Sequence, residues 1–102
     1  MLELRPTCEH CNKALPPASP EARICSFECT FCAGCVDGLL GNVCPNCGGG
    51  FVPRPVRPAT DWKGGNFLGR HPAAAAVKHR PVDLSAHARL VAAIAGRAPE
   101  QR

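Results

Sequence analysis

Three observations predict a small metal-stabilised α+β fold followed by a loosely ordered tail with one helix. All eight cysteines of the 102-residue chain fall between positions 8 and 47, mostly as Cys-x-x-Cys pairs. Between the pairs lie one short alternating apolar segment and one with helical period. Beyond them, Gly and Pro punctuate the chain until one amphipathic stretch near its end. A segment of roughly 60 residues buries too little surface to fold comfortably without a staple. The organisation read from this is a cysteine-rich module at 1–58, a flexible Gly/Pro-containing linker at 59–82 and an amphipathic helix at 83–97.

The elements follow in chain order. Leu2 and Leu4 alternate with Glu3 and Arg5, as in a half-buried extended lead-in. Cys8-Glu-His-Cys11 is a knuckle that lets two sulfurs reach one metal, and Asn12 after it tolerates a left-handed backbone. Pro16, Pro17 and Pro20 make 13–22 a loop. Cys25, Phe27, Cys29 and Phe31 share one parity and predict a short strand or hairpin with ligands and aromatics on one side. Val36, Leu39, Leu40 and Val43 predict a helix of about two turns, weakened by Gly38 and Gly41. Cys44-Pro-Asn-Cys47-Gly48 is a second knuckle, with glycine free to take positive φ. Phe51–Pro58 alternates proline with other residues and reads as extended. In the tail, Asp83 or Ser85 caps a helix, Leu84, Ala88, Val91 and Ala95 form its stripe, widened by His87 and Ile94, and Gly96 with Pro99 stops it. Its length of about 12 residues is marginal in isolation, so it packs on the module or awaits a partner. His10, His71, His79 and His87 read as surface residues.

The cysteine spacing is C-x2-C-x13-C-x3-C-x2-C-x2-C-x8-C-x2-C. Eight thiolates make two tetrahedral four-sulfur sites, and zinc is the usual occupant, so two zinc ions are expected. Four disulfides are the alternative, but the spacing suits metal better. Two pairings are open. A sequential one groups Cys8, Cys11, Cys25 and Cys29, then Cys32, Cys35, Cys44 and Cys47. An interleaved one groups Cys8, Cys11, Cys32 and Cys35 as site 1, and Cys25, Cys29, Cys44 and Cys47 as site 2. The interleaved form closes longer loops and so constrains the unfolded chain more.

The order of the pairs, the Cys29-Thr-Phe-Cys32 step, the helix after Cys35 and the Cys44-Pro-Asn-Cys47 close resemble a RING finger in an all-cysteine version. That resemblance implies an interleaved, RING-like cross-brace. A closer resemblance rests on Met1-Leu-Glu-Leu-Arg-Pro6, Arg23-Ile-Cys-Ser-Phe-Glu-Cys-Thr-Phe-Cys32 and Cys44-Pro-Asn-Cys-Gly-Gly49. Over about residues 1–58 these are similar to the bacterial family called domain of unknown function 1272, which implies a cysteine-rich protein with no assigned activity.

Net charge is +4, all of it from residues 59–102, which hold seven basic and three acidic side chains. Residues 1–58 balance five against five before any thiol ionises. The tail's charges are dispersed and aromatic residues are few, which argues against a nucleic-acid partner. The first residues lack the apolar core of a secretory signal, and no run approaches the about 20 residues that span a bilayer. A cytoplasmic protein without membrane contact is expected. Closed four-thiolate sites leave no position for substrate, and no nucleophile–base set stands out, so no enzymatic activity is expected. RING ligases typically carry a bulky apolar residue after the first cysteine, a tryptophan shortly before the last pair and a basic residue after the last cysteine. Here Glu9, a tryptophan-free Val36–Val43 and Gly48 stand in those places and only Pro45 matches, which argues against ubiquitin-ligase-like activity. A structural zinc module that binds a protein partner is the primary expectation, with thiol redox or zinc sensing as an alternative.

Overall fold

The computed structural model describes residues 1–102. Strand β1 (Ala22–Ile24) lies at the centre of a small antiparallel sheet, between β2 (Thr30–Cys32) and β3 (Val52–Pro53). The register sets Ala22 opposite Cys32, Arg23 opposite Phe31 and Ile24 opposite Thr30, and also places Ile24 against Val52. Strands this short do not carry the alternation expected through 23–31. The chain turns at Cys25–Cys29 with Glu28 at φ 65°, so Phe31 is buried while Phe27 stands 71% exposed at the tip. Phe31 meets Phe51 edge-on, with ring centroids 5.5 Å apart.

Helix α1 (Ala33–Cys35) is a single turn that widens into a π-turn at Val36–Leu40 and stops at Gly41, φ 61°. The short helix expected here is thus present over 33–40, with its second turn of π type. Widening the ladder rotates Leu39 off the inner face, while Val36, Leu40 and Val43 stay buried. Helix α2 (Leu84–Ile94) begins at Asp83, whose Oδ1 accepts the N–H groups of Ser85 and Ala86 at 3.0 and 3.1 Å. It ends through Ala95 and Gly96, both left-handed. Its packed stripe joins His87 and Ile94, expected at the margin, to Leu90, while Leu84, Ala88, Val91 and Ala95, expected at its centre, are exposed. Leu90 and Ile94 face the bare backbone of Gly48, where no side chain holds the helix away.

The core is small and built largely of sulfur. Six of its eleven clustered residues are cysteines, joined by Leu15, Ala22, Phe31, Val36 and Leu40. Beside it Arg54, 4% exposed, threads its guanidinium onto the carbonyls of Arg5, Leu15 and Pro16 at 2.9, 3.0 and 3.1 Å. Residues 59–82 contain no helix or strand, but they are fastened along the module. Arg57 donates to the carbonyls of Leu2 and His71, both at 2.7 Å, and the amides of Ala74 and Arg80 donate to Leu4 and Glu9. Val82 packs against the core cluster.

Candidate metal centre

Both Cys-x-x-Cys knuckles close by the same turn. The amide of Asn12 donates to the carbonyl of Cys8 at 2.9 Å, and that of Gly48 to Cys44 at 2.8 Å. The closing residues sit at φ 64° and 78°, the conformation their side chains tolerate. Amides turn inward onto sulfur: Phe27 N–H reaches Cys25 Sγ and Gly49 N–H reaches Cys47 Sγ, each at 3.3 Å. Such donors stabilise thiolates and orient them as ligands.

The sulfurs of Cys8, Cys11, Cys32 and Cys35 all lie within 4.8 Å of one another. β2 carries Cys32 and α1 carries Cys35, so the sheet edge delivers one pair to the first knuckle. Zinc–sulfur bonds of about 2.3 Å in a tetrahedron set sulfurs about 3.8 Å apart. Cys11 and Cys32 Sγ are 3.8 Å apart, so this donor set fits a four-coordinate zinc. All eight cysteines are free, without disulfide bonds.

Cys25, Cys44 and Cys47 make the second group by the same measure, and Cys29 does not join it within that distance. The reason is local. Glu28, three residues after Cys25, closes the turn by donating to the Cys25 carbonyl at 3.0 Å, so the extra residue sets Cys29 one position past the knuckle. Cys29 remains buried, next to Cys25 and the Asn46 side chain. The donor chemistry of this group also suits zinc, with three sulfurs assembled and a fourth adjacent.

Burial pushes the Cys35 and Cys44 thiols well up from their ordinary value, and raises Cys29 and Cys11 as well. Burial also opposes ionisation of Cys8, but the amides of Cys11, Cys32 and His10 outweigh it and hold that thiol below the usual range. Sulfurs packed this closely repel one another as anions, so both groups are ones that a bound cation would stabilise.

Several residues with no motif support the knuckles. Glu9, 3% exposed, accepts the Thr30 amide at 2.6 Å and Arg5 Nη1 at 2.9 Å. His10 is not a solvent-facing residue: its Nδ1 accepts the Val82 amide at 2.9 Å, and its carbonyl accepts from His79 Nε2 at 3.1 Å. His87, unlike the half-buried His10, is buried, with Nε2 donating to the Leu40 carbonyl. These partners come from 69, 72 and 47 residues away, and no local pattern could have revealed them.

No helix is long and apolar enough to cross a membrane. No solved structure matches the chain. The chain is 54% identical over 81 residues to "Uncharacterized protein R02474" of Rhizobium meliloti (strain 1021), covering 79% of this chain and 89% of that protein. Residues 1–57 match the family model described as "Protein of unknown function (DUF1272)", and the chain belongs to that family.

Proposed function

We propose that this protein is a structural zinc module that binds a protein partner in the cytoplasm and has no enzymatic activity of its own. Zinc at Cys8, Cys11, Cys32 and Cys35 forms site 1, and zinc at Cys25, Cys29, Cys44 and Cys47 forms site 2, in the RING-like interleaved order. The observation that carries this reading is the cage of four sulfurs drawn from two distant segments. A closed four-thiolate cage supplies folding energy and leaves no coordination position for water or substrate. Buried Arg54, half-buried Arg57 and exposed Arg102 all hold backbone carbonyls and are not free to meet phosphates, which favours a protein over a nucleic acid as partner. Metal analysis of the purified, reduced protein tests the reading. Two zinc equivalents and loss of fold on chelation are expected; fewer than two, or a fold that survives chelation, would overturn it.

A second reading is favoured by one feature. Cys11 and Cys47 are exposed while the other six cysteines are buried, so each group offers one sulfur to solvent. Oxidation of a ligand thiolate would release metal and make the module a redox sensor. Zinc release into a chromogenic chelator under mild peroxide supports sensing; retention of both ions counts against it.

A further inference from the structure

The proposed protein-binding role gains a surface and a partner chemistry from the way the tail is seated. Residues 79–94 lie across both knuckles. The extended part crosses the first: Arg80 N–H donates to the Glu9 carbonyl at 2.8 Å, Val82 N–H to His10 Nδ1 at 2.9 Å, and His79 Nε2 to the His10 carbonyl. The helix covers the second: His87 reaches the Leu40 carbonyl, and Leu90 and Ile94 lie against Gly48. Arg102 then clasps the carbonyls of Asn42 and Gly48 at 2.9 and 3.2 Å. We propose that this two-knuckle face is where the module receives its protein partner, and that residues 79–102 occupy it in cis as a built-in competitor.

Two observations carry the inference. The first is charge. With zinc bound, eight thiolates around two dications would give residues 1–58 a net charge of about −4, while the seated segment 79–102 carries four basic side chains (Arg80, Arg89, Arg97, Arg102) and two acidic ones (Asp83, Glu100). The face therefore selects a basic segment. The second is an incomplete fit. A cavity of about 330 Å³ remains between the tail and the knuckles, lined by Glu9, Phe31, Pro45, Asn46, His87 and Leu90 among others. His87, one of the residues lining it, keeps its Nδ1 buried without a hydrogen-bond partner. Since Nε2 faces a carbonyl and must carry the proton, Nδ1 holds an unused lone pair. An occupant that fills this space and offers a donor displaces the tail. The partner is thus a basic protein segment, extended at first to meet Glu9 and His10, then an N-capped helix with aliphatic side chains three and seven residues after the one that meets Leu40.

The test uses the full zinc-loaded chain and a labelled synthetic peptide of residues 79–102. In Leu90→Asp/Ile94→Asp the tail is driven off its face. That variant should bind the peptide one-to-one at least about tenfold more tightly than the wild type, whose own tail competes at millimolar effective concentration. Added salt should weaken binding, and a His87→Ala peptide should bind less well. Equal affinity of the two chains, or no binding by a variant that retains two zinc ions and native amide signals over residues 1–57, overturns the inference. His87→Ala in the full chain is read in parallel, and peptide affinity no higher than wild type overturns it too. Failure of the zinc reading is separate, since it appears as missing metal in the wild type.

Discussion

His87 Nε2 donates to the main-chain oxygen of Leu40 across 2.9 Å, joining the last helix to the turn that precedes the second knuckle. The Leu40 carbonyl also accepts the Val43 amide at 3.2 Å, so losing the imidazole does not strand it. His87→Ala should therefore cost about 1–3 kcal/mol, from one hydrogen bond and the void left by the ring. Denaturant midpoints of the zinc-saturated protein read the loss. Amide exchange should quicken through α2 and stay unchanged in β1 and β2.

Arg54 is buried with no carboxylate among its hydrogen-bond partners; burial holds its guanidinium below the usual value, and three carbonyls satisfy it. It ties the lead-in at Arg5 to the proline loop at Leu15 and Pro16. Arg54→Lys should destabilise the zinc-loaded protein by about 2–4 kcal/mol, because one ammonium cannot reproduce the planar fork. Arg54→Ala should be at least as damaging. A denaturation midpoint within error of the wild type for either variant would contradict the assigned role.

The site was legible in the sequence because thiol spacing is a local signal. Cys8/Cys11 and Cys44/Cys47 declared their knuckles, and Asn12 and Gly48 adopt the left-handed backbone their residue types allow. Asp83 as the cap of the last helix was equally local. What could not be read was tertiary. Leu39 leaves the inner face because α1 widens into a π-turn, and α2 turns His87 inward because Leu40 offers a carbonyl 47 residues earlier. Periodicity ranks faces by hydrophobicity, so it centres the stripe on Leu84 and Val91, which are exposed, and places His87 at its margin, although the histidine finds a buried acceptor. Cys29 is intermediate: its sequence position marks it as a ligand, but the extra residue after Cys25 sets its sulfur apart from the other three.

Zinc retention should depend on pH in one direction. The ligands bind as thiolates, so protons compete with metal and affinity falls as pH falls. Zinc transfer to a competing chelator should become faster and more complete as pH is lowered from 8 to about 5, with loss of fold following loss of metal. Site 1, whose four sulfurs are already gathered, should outlast site 2, where Cys29 must close onto the other three. Single-zinc intermediates resolved by native mass spectrometry should hold their ion in the Cys8→Ser-sensitive site. A population that instead depends on Cys44 would reverse that order.

Two nearby glycines separate the knuckle from the clasp of the tail. A Cβ on Gly50 would lie 2.6 Å from Pro99 Cγ and 3.1 Å from Pro99 Cβ, so the C-terminal turn must move. A Cβ on Gly48 meets only ordinary contacts, at 3.8 Å to Ile94 Cδ1 and 4.0 Å to Leu90 Cδ1, but the backbone there sits at φ 78°. Gly48→Ala should thus strain the second knuckle by about 1–2 kcal/mol and weaken zinc at that site. Gly50→Ala should leave zinc affinity nearly unchanged and loosen the Arg102 clasp on Asn42 and Gly48. Chelator competition reads the first effect, and amide exchange at residues 97–102 reads the second. If both substitutions weakened zinc alike, the clasp would be part of the metal site and not a separate layer over it.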